Sequence, residues 1–293
     1  MLETDPSTPA PSRGRRLLVL LLLGCAVALL YGAGIRQVHD EVDFATLELA
    51  AGPRGADFVE VQATVMTVDP LLGTMTARLA FCPQGDYEEE DLLLARDLDL
   101  RVNSSRGRNE IPFKAGHRMD PVEVDLDLVG STADYPFDRH ESILQFQFTR
   151  RGDREPVPLA LHLDAVVTGY ELAGSVLDPG DPTGMEIGLQ VRRTPSVRIY
   201  SVILMLIMLS LSGAAVLVNL VFYLQRRKVE VTLFGFMTAM LFAFPAMRNT
   251  MPGVPPVGGL CDYVAFFWAE GLVALCILSG VFCWAFLPPN RPR

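Results

Sequence analysis

Cysteine, histidine and lysine are scarce in this chain: five, four and two among 293 residues. Only Cys82 falls between residues 36 and 195, so no disulfide framework holds that segment together. The histidines, His39, His117, His140 and His162, are scattered and never recur at a metal-ligand spacing, and each is expected to be a surface or turn residue. Also missing are a Gly-x-Ser-x-Gly elbow, a His-Glu-x-x-His pair, a Cys-x-x-Cys pair and a glycine-rich phosphate loop. A triad hydrolase and a metalloenzyme therefore have no positive support, and we expect no catalytic residues, no cofactor and no metal. Positive charge is short where the chain is most polar. Residues 36–195 hold 15 Arg and Lys against 29 Asp and Glu, a net of −14, while the rest hold 10 against 5. So acidic a segment disfavours nucleic acid as a partner, and none is expected, because phosphate binding needs a basic surface.

What is present is oil. Four apolar runs, 17–35, 197–224, 229–247 and 260–287, are each long enough to cross a bilayer core of about 30 Å. Basic residues set the orientation, since cations resist translocation. Arg13, Arg15 and Arg16 lie in the leading segment 1–16, Arg226, Arg227 and Lys228 in the connection 225–228, and Arg291 and Arg293 in the tail 288–293. These fall on one side if both termini are cytoplasmic, which puts residues 36–195 and the Pro/Gly loop 248–259 outside. Arg192, Arg193 and Arg198 are discordant, flanking the outer end of the second run. The first run continues past Cys25 through Ala26–Tyr31, longer than a signal-peptide core of about 7–15 residues, so it is expected to remain as an anchor. A cleaved signal, or a lipoprotein site at Leu22-Leu23-Gly24-Cys25, is the alternative. Gly24/Ala28/Gly32 and Gly235/Ala239/Ala243 repeat small residues every fourth position and predict a compact four-helix transmembrane bundle.

Between residues 36 and 195 the pattern has period two. Val59/Val61/Ala63/Val65, Met75/Ala77/Leu79/Phe81, Leu98/Leu100/Val102 and Val122/Val124/Leu126/Leu128 alternate with mostly polar neighbours. So do Leu144/Phe146/Phe148, Leu159/Leu161/Leu163 and Met185/Ile187/Leu189/Val191. Short strands at this spacing, with no helical period between them, predict an antiparallel β-sandwich. Glu123/Asp125/Asp127 and Asp97/Asp99 each share one strand face, and a divalent cation such as calcium would suit them if the strands were neighbours. A solvated face balanced by Arg101, Arg106 and Arg108 is the preferred reading.

Two features stand out as candidate sites. Tyr135-Pro136-Phe137-Asp138 is a pinned turn, because proline fixes its own φ and extends the residue before it. We expect it to rest on the membrane boundary with Asp138 paired to Arg192 or Arg193, whose planar forks suit a carboxylate. Glu270 lies about 15 Å into the last run at 1.5 Å per residue. It is expected to be the neutral acid hydrogen-bonded to Ser210, Ser212 or Thr238 in a packing role, with a proton or ion role as the alternative.

The string Phe242-Ala243-Phe244-Pro245-Ala246-Met247-Arg248-Asn249, then Pro252 to Gly258, Asp262 and Phe266-Phe267-Trp268-Ala269-Glu270, resembles a family of actinobacterial integral membrane proteins known only as a domain of unknown function. The resemblance implies one helix, a β-rich domain and three helices, and adds Arg248 and Asp262 to the candidate residues without lending an activity. Twenty-three Arg against two Lys fits a high-GC bacterial genome. The Tyr135–Asp138 loop, Arg192-Arg193-Thr194-Pro195 and Glu230-Val231-Thr232-Leu233 are similar to parts of pentameric ligand-gated ion channels, in which such a glutamate ring selects cations. The chain departs from that family in lacking its last helix and in crowding the would-be pore helix with Phe234, Phe236, Phe242 and Phe244. The expectation is a non-enzymatic protein of the bacterial plasma membrane, an accessory, scaffolding or ligand-binding component. Its expected partners are the lipid bilayer and either another membrane protein or further copies of itself. The alternative is a transport or channel-like subunit using Glu270 or Glu230.

Overall fold

A computed structural model describes residues 47–51, 55–89, 92–165, 167–178, 184–225 and 231–286. The chain divides into Met1–Asp43 and Phe44–Arg293, and every described residue belongs to the second unit. The expected first span, the basic leading segment, the 226–230 connection with Glu230, and the tail therefore lie outside the described residues.

The alternating segments are strands. In chain order they are β1 (Leu47–Ala51), β2 (Phe58–Asp69), β3 (Thr74–Gln84), β4 (Glu88–Glu89), β5 (Leu93–Leu94), β6 (Leu98–Val102) and β7 (Glu110–Phe113). There follow β8 (Val122–Asp127), β9 (Val129–Gly130), β10 (Arg139–Arg150), β11 (Pro156–Val157), β12 (Leu159–Ala165), β13 (Tyr170–Val176) and β14 (Gly184–Arg193). One sheet has the order β1-β12-β2-β3-β8 and the other β13-β14-β10-β6-β7, with β9 and β11 on the flanks of β10; β4 and β5 pair as a small ribbon. The apolar row of each long strand is buried in one shared core, from Val59 and Met75 through Leu100 and Phe148 to Leu163 and Ile187. Phe148 sits there with Phe81 edge-on, their ring centroids 5.4 Å apart.

Two corrections apply to the expected fold. The sandwich is not wholly antiparallel: β12 runs parallel to β2, with Leu159 opposite Val59 and Ala165 opposite Val65. Period-two burial is the same for either strand direction, so the pattern could not distinguish them. The second correction concerns the helices. The described residues contain three long ones, α1 (Pro195–Gln225), α2 (Val231–Asn249) and α3 (Phe267–Phe286, entered through a π turn over Asp262–Phe266), not a four-helix bundle. Among the described residues, Pro195–Leu224 and Asp262–Phe286 are the ones long and apolar enough, by length and composition, to cross a membrane. α2 carries Pro245 inside it and the polar pair Arg248-Asn249 in its last turn.

The helices pack through α3. Asn219 of α1 donates from Nδ2 to the Cys276 carbonyl at 2.7 Å, and Ser279 Oγ donates to Asn219 Oδ1 at 3.3 Å. A Cβ at Gly280 would lie 2.6 Å from Phe234 of α2, so this glycine is what permits the close approach. Met208, Met237, Phe244, Ala265, Ala269 and Val273 form the helical core. Gly235, Ala239 and Ala243, expected to pack inward, are all exposed on the outer side of α2, because Met237, Met240 and Phe244 take the buried positions.

Candidate functional site

The most heavily organised polar region among the described residues is the seam between sandwich and helices. It is built by three segments: the turn between β9 and β10, the last residues of β14 running directly into α1, and the loop joining α2 to α3. Ser131 caps a short 3-10 turn over Thr132–Asp134, accepting from the Ala133 amide, and the chain then reaches Tyr135 and the cis Tyr135-Pro136 bond. Tyr135 belongs to the helical core, not to the sandwich core, and is fully buried there. Its hydroxyl lies 2.8 Å from Ser201 Oγ of α1 and donates to the Pro252 carbonyl at 2.9 Å. One side chain of the β domain thus touches α1 and the α2–α3 loop together. Burial pushes the Tyr135 phenol up, which keeps it a donor through the neutral range.

Asp138 is the centre of the seam. It is 2 % exposed and accepts from Arg193 Nε with both oxygens, at 3.2 and 3.1 Å, while His140 Nε2 lies 3.0 Å from Oδ2. Burial would raise its carboxyl, yet the His140 hydrogen bond and the Arg193 charge outweigh that and hold it below the ordinary carboxylate value. The Arg193 guanidinium is itself 5.1 Å from the Tyr135 ring centroid and 4.8 Å from that of Tyr170, a cation held between two aromatic faces. Gly253, at φ +73°, closes the other side: a Cβ there would stand 2.5 Å from Arg193 Nη1. The expected pairing of Asp138 is therefore with Arg193. Arg192 is exposed and bonds Gln190 Oε1 at 3.2 Å, because neighbouring residues on a strand point to opposite faces.

A second buried ion pair lies beside the first. Arg248 at the end of α2 donates from Nε to Asp262 Oδ1 at 3.0 Å and from Nη2 to Oδ2 at 3.1 Å, the two-pronged geometry expected of Asp138. Arg248 Nη2 also reaches the Pro255 carbonyl at 2.8 Å, and the Gly258 amide donates to Asp262 Oδ2 at 2.7 Å. Both ends of the α2–α3 loop and its middle are thereby held to one carboxylate. Charge buried this completely is tolerated only when paired and hydrogen-bonded, and each oxygen and nitrogen named here is.

The remaining candidates are placed as follows. Pro136 is buried and Phe137 is 52 % exposed. Glu270 is half-buried on α3, and its Oε1 has no hydrogen-bond partner among the described residues. Ser210 and Thr238 are exposed, and Ser212 bonds the Leu209 carbonyl at 2.9 Å, so none of the three serves Glu270. The acidic faces are not brought together, since β8 and β6 lie in different sheets. Asp99 pairs with Arg151 at 2.7 Å and Asp125 accepts from Thr76 at 2.8 Å. Among the described residues no three His, Cys, Asp or Glu side chains are grouped so as to hold a metal ion. Sequence reasoning missed His140, Tyr170 and Ser201. His140 carried a signal, because it stands two residues after Asp138 and so on the same strand face. Tyr170 carried none.

Fold and seam together define a β-sandwich continuous with helices, two of which have the length and apolarity to cross a membrane. Residues 49–192 match the family described as Domain of unknown function (DUF4436), and residues 193–287 match Domain of unknown function (DUF8686). Both matches fit an uncharacterised family, and they meet between Arg192 and Arg193, the point at which the strand ladder hands over to the seam. No curated protein matches the chain.

Proposed function

We propose that the protein is a non-enzymatic integral membrane component of the bacterial cell envelope, with the sandwich held outside the membrane at its surface in an accessory, scaffolding or ligand-binding role. The observation that carries this reading is the buried seam. A domain that only needed anchoring could hang from a flexible linker, whereas here Asp138, Arg193 and Tyr135 join strands, α1 and the α2–α3 loop through paired charges and hydrogen bonds. Such a junction makes the attitude of the sandwich depend on the helices, and the reverse. The acidic sandwich, net −14, would present its surface to a partner outside the bilayer.

Purification in mild detergent followed by mass measurement of the particle tests the reading, and co-purification with a different membrane protein is the expected result. A closed ring of copies would overturn it in favour of a channel-like subunit. One observation favours that second reading: the small-residue face Gly235, Ala239 and Ala243 of α2 is turned outward, where another helix could approach it.

A further inference from the structure

With Arg193 accounted for by the seam, two of the three discordant arginines still need an explanation, and the strand register adds a third. Arg139 on β10 is the direct partner of Arg192 on β14, and both are exposed on the outward row because His140, Val191 and Arg193 fill the inward one. Like charges opposed across a ladder repel. Glu171 on β13 partners Arg192 from the other side and offsets one of the two charges. Arg198 adds another in the first turn of α1, where a cation faces the positive end of the helix dipole and gains nothing from it. Its Nε is buried with no hydrogen-bond partner among the described residues, and none of these three arginines forms an ion pair among them.

Exposed apolar tips share one end of the sandwich with these cations. Phe137 is 52 % exposed, Val129 72 % and Leu72 67 %. All lie at the end of the sandwich from which α1 departs. Gly130 partners His140 beside Arg139, which places Val129 there. β2 runs parallel to β12, whose far end leads to Tyr170 opposite Arg193, so the β2–β3 turn carrying Leu72 is at the same end. Its Gly73 carbonyl accepts from the Leu128 amide at 2.8 Å.

Bulky apolar tips and arginines that form no ion pair among the described residues thus lie at the same end. A phospholipid boundary satisfies both, the phosphate accepting from guanidinium groups while the tips enter the acyl boundary. We infer that this rim binds anionic phospholipid of the outer leaflet, with Arg139, Arg192 and Arg198 donating to the headgroup phosphate and Phe137, Val129 and Leu72 entering the lipid. The inference rests on the membrane reading above.

Alkaline carbonate extraction of cell membranes tests that reading first: a chain released by carbonate overturns it, and the rim with it. With the chain retained, the detergent-purified full-length protein is given equal phosphatidylglycerol and phosphatidylcholine, and bound lipid is counted by native mass spectrometry. The wild type should retain phosphatidylglycerol about tenfold over phosphatidylcholine. The Arg139→Gln/Arg192→Gln double variant, altered only at exposed positions, should lose that preference while its melting temperature does not fall, and Arg198→Gln should reduce it. A wild type without preference, or a double variant that keeps it, overturns the inference alone. Excess inorganic phosphate should leave the lipid bound; displacement by phosphate would overturn the lipid assignment in favour of a free anion.

Discussion

Burial on its own would make Asp138 a weaker acid, and the fact that its carboxyl is instead held below the ordinary value shows how strongly His140 and Arg193 favour the ionised form. Removing one member of a buried pair strands the other, so Asp138→Asn and Arg193→Gln should each cost about 3 kcal/mol of unfolding free energy. Their double-mutant cycle should show coupling above about 1 kcal/mol, and the cycle of Asp138→Asn with Arg192→Gln should be additive. Denaturant unfolding in detergent measures both, and additivity in the Arg193 cycle would refute the clasp. The same depressed value fixes a pH dependence. A carboxyl near 3.9 when unfolded and lower when folded adds stability that is complete above about pH 5 and lost as pH falls through the folded value. Between pH 7 and pH 3 the melting temperature of the wild type should therefore fall further than that of Asp138→Asn. Equal falls would show that the acid sensitivity arises elsewhere.

At the scale of elements, the α2–α3 loop is the piece that both ion pairs share. Arg248 and Asp262 hold its ends, Pro252 accepts from Tyr135, and Gly253 lets the backbone pass over Arg193. Gly253→Ala combines a positive φ with a Cβ in the guanidinium's place, and should cost about 2 kcal/mol by unfolding in detergent. A neutral effect would show that loop and arginine do not meet as described. By contrast Gly235→Ala, with nothing within 4 Å of the added Cβ, should leave the stability of the isolated chain unchanged or raise it, since alanine favours helix.

For the molecule as a whole, the membrane reading fixes which parts face the cell exterior. A cysteine placed at Arg106, on the sandwich, in a chain cleared of its reactive thiols should label with an impermeant maleimide in intact cells. A cysteine at Lys228, in the basic connection, should label only after permeabilisation. The reverse pattern would invert the topology and, with it, the outward position of the sandwich.

How much of this was legible in the sequence varied with the range of the interaction. Val59, Leu100, Phe148 and Ile187 announced their burial because a strand reports its core face every second residue, whatever it pairs with. The Tyr135–Asp138 turn was visible because proline and aromatics restrict a backbone locally, and the search for an Asp138 partner could be narrowed to two adjacent arginines. Choosing between them needed the register of β14, which sends Arg193 inward and Arg192 out. The parallel β2–β12 pairing, the place of Tyr170 beneath Arg193, the junction of Arg248 with Asp262 across their loop, and the outward turn of Gly235, Ala239 and Ala243 were equally out of reach. Each joins residues distant along the chain, or depends on which face of a helix its neighbours leave uncovered. Alternation, hydrophobic length and local charge are properties of consecutive residues, and these the sequence determined by itself. Strand direction, partner choice and the building of one polar seam from three separated segments arise only when the chain packs, because two buried charges become a pair only where the fold brings them within hydrogen-bonding distance.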